Sequence, residues 1–118
     1  MRRFAGRWLL GVSAIHTVFA LVVFRAELGA MARDGFVATV GTDARRGAVA
    51  WFLLFGGALA LAAVVIDELE AKGASLRRAG LVLAALTTAG VVWMPASGFW
   101  LAVPAIAVML RRRRVTAT

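Results

Sequence analysis

The amino-acid sequence predicts an all-α fold: one integral membrane domain over residues 1–118, built as a bundle of four transmembrane helices. Hydrophobic residues make up 62% of the chain, whereas ordinary soluble domains contain about 45–50%. A chain of 118 residues has too small an interior to hide so many apolar side chains from water. These residues also fall into four uncharged runs, and every charged residue lies between or beside the runs.

The first two apolar runs, Trp8–Phe24 and Gly47–Ile66, are long enough to cross a bilayer, which takes about 20 residues of helix. The third run, Ala79–Met94, reaches that length because the long cationic side chains beside it can extend to the membrane surface. The fourth, Phe99–Leu110, is the shortest and depends most on its flanking arginines. The predicted spans are therefore about 8–26, 45–67, 77–95 and 97–113.

The segment between the first two predicted spans, residues 25–46, is the one sizeable loop of the chain. Its sequence RAELGAMARD has helical propensity. The segment therefore either extends the first helix or forms an interfacial helix or loop on the outer face of the membrane. Thr42 or Asp43 suits the N-cap of the helix that follows.

Three acidic residues, Asp67, Glu68 and Glu70, follow the second predicted span. Carboxylates at the C-terminal end of a helix are mildly unfavourable, because the helix dipole is negative there. Basic residues nearby offset them, so we expect a solvated, salt-bridged turn with no chemistry of its own. The basic residues are Lys72, Arg77 and Arg78.

The distribution of lysine and arginine predicts the orientation of the bundle. With the N-terminus in the cytoplasm, ten basic residues lie on the cytoplasmic side and four on the outer side, as the positive-inside rule requires. Both termini are therefore expected in the cytoplasm (N-in, C-in). The ten residues are Arg2, Arg3, Arg7, Lys72, Arg77, Arg78 and Arg111–Arg114.

A signal peptide is the alternative interpretation of the first run. Met1–Arg7 would be its basic region, and Ala30-Met31-Ala32 resembles a cleavage site. The run is long for a signal peptide, contains His16 and Thr17, and ends well before that site. We therefore expect a retained transmembrane helix.

Charge and residue content argue against several classes of function. The net charge of +8 does not predict nucleic-acid binding, because the basic residues cluster at span ends rather than on a polar face. The chain has no cysteine and one histidine, too few ligands for a metal centre within one chain. We expect no metal and no cofactor. Haem held by the histidines of two subunits would require a dimer.

A polar layer is predicted at the middle of the bundle, where ionisable groups are costly and usually point towards a partner or a functional site. His16 lies at the centre of the first run, and the other three centres carry a glycine pair, a threonine pair and a proline. Small residues allow helices to approach closely, and proline leaves a backbone carbonyl without its usual donor. The candidate ligand-binding residues are Ser13, His16, Thr17, Gly56, Gly57, Thr87, Thr88 and Pro104.

Two interpretations of this layer stay open. In the first, His16 bonds Thr87, Thr88 or a backbone carbonyl and only holds helices together, a contribution of about 1 kcal/mol. In the second, the layer is a polar pocket that binds a lipophilic molecule or moves a proton. His16 is then the candidate catalytic acid or base, and Thr87 or Thr88 orients it.

Three segments carry a resemblance to a known family: GRWLLGVSAIH near the start, DARRGAVAWFLLFGG at the second span and MPASGFWLAVPAI at the last turn. Over nearly the whole chain, the sequence resembles a family of small bacterial four-span membrane proteins of unknown function. The resemblance implies the four-span fold and a place in the bacterial inner membrane, and it brings no activity. The length is also similar to that of small multidrug transporters, but the glutamate of their first span has no counterpart here.

The sequence supports three hypotheses of function. The first is a binding protein whose bundle holds a lipophilic ligand or a membrane partner. The second is a small membrane enzyme, an isomerase or cyclase that acts on a lipid-like substrate. The third is a proton-coupled exporter that works as a homodimer. The expected partners are the lipid bilayer, a lipophilic small molecule and a second copy of the chain, with no nucleic acid.

Overall fold

The computed structural model describes residues 3–111, and this part of the chain is all-helical, without a β-strand. The predicted all-α class is confirmed over that range. Arg2, Arg112–Arg114 and the end of the fourth predicted span lie outside the described residues. The elements are α1 (Ala5–Val23), α2 (Arg25–Arg33), α3 (Ala44–Ala71), α4 (Arg77–Trp93), a 3₁₀ turn (Gly98–Ala102) and α5 (Val103–Arg111).

The helix α2 is separate from α1, although the two follow each other directly. Phe24, with φ −101° and ψ 20°, departs from helical geometry between them. The helix α2 contacts both α1 and α3, and it buries Met31. The first helix thus ends at Val23 rather than near residue 26, and the following segment forms a short helix of its own.

Asp43, one of the two predicted capping residues, begins α3 as its N-cap. Its carboxylate accepts hydrogen bonds from the backbone N–H groups of Arg45 and Arg46, each at 3.0 Å. In the preceding loop, Phe36 (φ 62°) and Ala38 (φ 55°) adopt the left-handed conformation, which costs a residue with a side chain about 1–2 kcal/mol. The strained loop reverses the chain, and the cap fixes where α3 begins.

The helices pack as a row in the order α3, α1, α5, α4. The helix α1 contacts α3 on one side and α5 with the 3₁₀ turn on the other, and α4 contacts α5 and the 3₁₀ turn. Within the described part of the chain, α3 and α4 make no close backbone contact, although only residues 72–76 separate them in sequence. Successive elements are usually neighbours in space, but here α1 and α5 lie between them.

One end of the row, which we call the base, contains the start of α1, the end of α3, the start of α4 and the end of α5. Buried apolar side chains from these helices meet there, and Leu9, Leu76 and Met109 are at most 1% exposed. The opposite end, which we call the top, contains the end of α1, α2 and the start of α3. The base cluster consists of Ala5, Leu9, Ala63, Ile66, Leu76, Ala105 and Met109.

Two of the described helices, α1 and α3, are long and apolar enough to cross a membrane. In each of them, only 22% of the most apolar 18-residue window is buried inside the protein. The helix α4 has 17 residues, and the segment Gly98–Arg111 is a shorter apolar helix. Length and composition therefore indicate two potential membrane crossings within residues 3–111, both with mainly apolar surfaces.

Pro104 lies in the first turn of α5, where a missing backbone N–H is tolerated. The carbonyl of Trp100, which a proline at position 104 cannot bond, accepts the N–H of Val103 instead. Such a bond between residues three apart is the defining bond of a 3₁₀ helix. The carbonyl that the sequence left without a donor is therefore satisfied locally.

Candidate functional site

The helices α1 and α3 approach each other closely at Gly56, which is buried. Ser13 donates its hydroxyl proton to the carbonyl of Gly56 at 2.9 Å, from a side chain that is also buried. A Cβ atom at Gly56 would lie 2.8 Å from Thr17 Oγ1 and 3.0 Å from His16 Cδ2. Because both distances are shorter than ordinary contacts, the seam between α1 and α3 requires glycine at this position.

His16 lies in the same seam, one helical turn beyond Ser13. Its Nε2 atom is 2.7 Å from the carbonyl oxygen of Phe52. Its ring stacks on the ring of Phe52, with centroids 4.0 Å apart and planes 14° from parallel, and meets the ring of Phe55 at 5.5 Å. The histidine is thus held by one polar contact and by two aromatic rings of α3.

Further aromatic rings extend this arrangement towards the top of the molecule. Phe52 also contacts Phe19 at 5.9 Å and Phe24 at 5.3 Å between ring centroids. The Phe24 and Phe52 rings meet edge to face, one of the geometries that aromatic pairs favour. The aromatic seam, defined as His16 with Phe19, Phe24, Phe52 and Phe55, therefore joins the upper halves of α1 and α3.

The structure brings together four of the eight candidate residues: Ser13, His16, Thr17 and Gly56. Gly57 is exposed, and a Cβ atom there would meet nothing within 4 Å. The remaining three lie on α4 and α5, away from the seam. The helix α4 makes no close backbone contact with α1 or α3, and neither threonine is a hydrogen-bond partner of His16.

Each of these distant residues has surroundings of its own. Thr88 donates its hydroxyl proton to the carbonyl of Ala84 in its own helix, at 2.7 Å. Thr87 is buried, and its hydroxyl oxygen is the one buried side-chain polar atom without a partner in the described part of the chain. Pro104 is exposed. The polar contact of His16 is therefore a backbone carbonyl, one of the partners expected from the sequence.

The base holds a buried carboxylate that sequence reasoning missed. Glu70 is 1% exposed, and its carboxylate accepts the backbone N–H groups of Phe4, Ala5 and Gly6 at 3.2, 3.1 and 2.7 Å. These donors are the unsatisfied groups at the start of α1, which anions stabilise. The expectation of a solvated turn is wrong for Glu70, because that expectation considered only partners close in sequence.

Asp67, one turn earlier on α3, also pairs with the start of the chain. Its carboxylate accepts hydrogen bonds from Arg3, including one from Nε at 2.9 Å, and lies 3.8 Å from Arg7 Nε. The hydrogen bond to Asp67 raises the pKa of the Arg3 guanidinium above its ordinary value. A Cβ atom at Gly6 would lie 2.4 Å from the backbone nitrogen of Asp67, so α1 and α3 nearly touch at the base.

Ion pairs connect α2 with α3 at the top. Arg45 donates to the carboxylate of Glu27, and Arg46 donates to Asp34 at 2.9 Å. The hydrogen bond from Arg45 lowers the pKa of Glu27 below its ordinary value, with backbone hydrogen bonding as the second cause. An open cleft of about 260 Å³ lies here, lined by Ala26, Glu27, Ala30, Asp43, Arg45 and Arg46.

These features define the class of the molecule: a small helical protein with a largely apolar surface and a histidine-centred seam between two long helices. The chain belongs to a family of unknown function, DUF6463, whose family model matches residues 1–116. The expected membership of a family of unknown function is thereby confirmed. No curated protein and no solved structure matches the chain.

Proposed function

We propose that the chain is a four-span integral membrane protein of the bacterial inner membrane that binds a lipophilic molecule at the aromatic seam. The observation that carries the proposal is the exposed apolar surface of α1 and α3. Ile15, Val18, Leu54 and Leu61 are each 59–68% exposed. Water would penalise every one of these side chains, whereas lipid tails would not.

The low burial of both long helices supports a membrane crossing rather than a soluble core. A core helix of a soluble protein is buried over most of its length, and here only 22% of each apolar window is buried. The exposed apolar residues of α4, such as Val82 and Val92 at 70% each, extend the same surface. The 17-residue helix α4 measures about 25 Å, which is shorter than the hydrocarbon core of a bilayer. Terminal arginines that extend to the membrane surface make up this difference in length.

The charges at the two ends support the N-in, C-in orientation. The base side of the sequence carries ten basic and three acidic residues, a net charge of +7. The top side carries four basic and three acidic residues, a net charge of +1. Of the four top arginines, Arg45 and Arg46 are paired with carboxylates. A base in the cytoplasm follows from the positive-inside rule.

Binding fits the site better than catalysis does. General acid–base catalysis usually positions more than one proton-transferring group at the substrate, and His16 is the one ionisable residue within the four apolar runs of the sequence. The candidate helpers Thr87 and Thr88 lie on a helix that makes no close backbone contact with α1. We therefore propose binding, and keep an isomerase or cyclase and a proton-coupled exporter as the two alternative functions.

Two measurements on the full chain test the membrane part of the proposal. The protein should stay in the membrane fraction through alkaline carbonate washing. Reporter fusions placed after residue 118 and within residues 35–42 should report opposite sides of the membrane. Release by the wash, or the same side for both reporters, would contradict the proposed crossings.

The binding part is tested by the molecules that the protein retains. The wild-type chain is isolated with its surrounding lipid, and the bound lipophilic compounds are identified by mass spectrometry. His16→Phe should lose a compound that both the wild type and the control Thr88→Ala retain, because Thr88 bonds only within its own helix. Identical compounds in all three would overturn the proposal.

A further inference from the structure

We propose that the aromatic seam recognises a lipophilic alcohol, whose hydroxyl donates a hydrogen bond to Nδ1 of His16. This inference rests on the proposed function, since it names the ligand class of the same site. It requires three conditions: that Nε2 carries the ring proton, that Nδ1 is accessible, and that the apolar surroundings suit the rest of such a molecule.

The first condition follows from the partner of Nε2. A backbone carbonyl only accepts hydrogen bonds, so a ring nitrogen 2.7 Å from Phe52 O must donate. In the neutral imidazole, one ring nitrogen donates and the other accepts. The contact with α3 therefore makes Nδ1 an acceptor.

The second condition follows from the burial of polar atoms. The Nε2 contact is the one hydrogen bond of His16 within the described residues, so Nδ1 has no partner among them. Nδ1 is also not a fully buried polar atom without a partner, because Thr87 Oγ1 is the one side-chain atom of that kind in residues 3–111. Nδ1 is therefore not fully enclosed by the described residues, and His16 as a whole is only partly buried.

The location of this lone pair selects the ligand chemistry. Water is scarce at mid-membrane depth, and a polar group left there without a partner is costly. A carbonyl, ether or carboxylate oxygen is itself an acceptor and would repel the lone pair, whereas a hydroxyl would satisfy it. Phe19, at 51% exposure, and Phe55, at 37%, offer apolar surface for the rest of the molecule.

The single histidine of the chain makes a direct experiment practical. The full chain, labelled with ¹⁵N at histidine only, is placed in lipid nanodiscs and its two ring nitrogens are observed by NMR. The probe is 1-dodecanol, and the matched control is dodecyl methyl ether, which has a similar apolar body but no donor.

Before the probe is added, the spectrum should show a protonated Nε2 and an unprotonated Nδ1. Dodecanol should shift the Nδ1 resonance saturably and leave Nε2 nearly unchanged. The alcohol should bind about fivefold or more tightly than the ether, which corresponds to a hydrogen bond of the size measured between membrane helices. The Glu68→Gln variant, which changes an exposed residue at the base and outside the aromatic seam, should behave like the wild type.

Three results would overturn the inference. The first is the opposite tautomer, and the second is an equal effect of the alcohol and the ether. The third is a Nδ1 resonance that shows a hydrogen bond before any probe is added and loses that bond when the protein is diluted in lipid. The last result would identify a second copy of the chain as the donor. If dodecanol fails while His16→Phe still loses its retained compound, the ligand class is wrong and the proposed function stands. If dodecanol fails and no retained compound depends on His16, the proposed function fails together with the inference.

Discussion

Gly56 and Gly57 are adjacent at the centre of α3, but Gly56 packs against α1 and Gly57 faces open space. A substitution at Gly57 is therefore a matched control for the same substitution at Gly56. Gly56→Ala places a Cβ atom 2.8 Å from Thr17 Oγ1 and 3.0 Å from His16 Cδ2, so both side chains must shift. We expect a loss of about 1–3 kcal/mol in stability. Gly57→Ala enters open space and should be neutral or slightly stabilising. Thermal unfolding in detergent measures both, and equal losses would contradict the seam at Gly56.

At the level of single residues, the sequence located some of the site and could not locate the rest. The centre of the first run identified His16, and small residues identified the close approach at Gly56. The sequence could not separate Gly56 from Gly57, because the two differ only in which side of the helix meets α1. Phe52 was missed because its contribution is a backbone carbonyl and a ring face, which no residue pattern marks.

Among the helices, α1 depends for its first turn on a carboxylate supplied by α3. Glu70→Gln should destabilise the protein by about 1–3 kcal/mol, because an amide NH₂ cannot accept one of the three backbone N–H groups now bonded to the carboxylate. The control Glu68→Gln changes an exposed residue of the same helix and should stay within about 0.5 kcal/mol. Detergent unfolding followed by circular dichroism compares them. An equal loss of stability in Glu70→Gln and Glu68→Gln would show that the hydrogen bonds from Glu70 to the start of α1 do not stabilise the protein.

The attachment of α2 to α3 should depend on pH through Glu27. Its pKa is lowered in the folded protein, mainly by the hydrogen bond from Arg45. The stabilisation is therefore complete above the ordinary carboxyl pKa of about 4.3. It is lost as the pH falls from there through the lowered value. Spin labels at Ala32→Cys and Ala48→Cys should show a broader distance distribution in that range. Glu27→Gln should already be broad at neutral pH, and a distribution independent of pH would refute the expectation.

The lengths of the elements were partly predictable. Apolar runs marked α1 and α3 because their surfaces are apolar along nearly the whole helix. The break at Phe24 was not predictable, because RAELGAMARD favours a helix whether or not it continues α1. The 3₁₀ turn depends on Ser97 and on the Val103 N–H, local bonds that apolar patterning does not report.

For the whole molecule, the row order of the helices is testable by crosslinking, because the chain has no cysteine of its own. A Cβ atom at Gly80 would lie 3.1 Å from Met109 Cβ, close to the spacing of about 3.5–4.5 Å in disulfides. Gly80→Cys with Met109→Cys should therefore form a disulfide under oxidation. Leu61→Cys with Leu86→Cys, on α3 and α4, should not, and a link there would indicate a closed ring of helices.

The sequence could not predict this order. Hydrophobic runs and charge counts predict the number of spans and the direction of each, and they say nothing of which helix lies beside which. The neighbours depend on close approaches such as Gly6 against Asp67 and Gly90 against Phe99. Glycine occurs in three of the four runs and also outside them, so composition alone does not show which glycines make these contacts.

The cap on α1 also has a consequence for the order of events during synthesis. Glu70 lies 64–66 residues after the N–H groups that it accepts, so the ribosome completes α1 long before the carboxylate exists. In the proposed membrane topology, the direction of the first helix is therefore set by the charges beside it alone. The Glu70 carboxylate is synthesised with the end of α3, and it then caps the start of a helix whose orientation is already set.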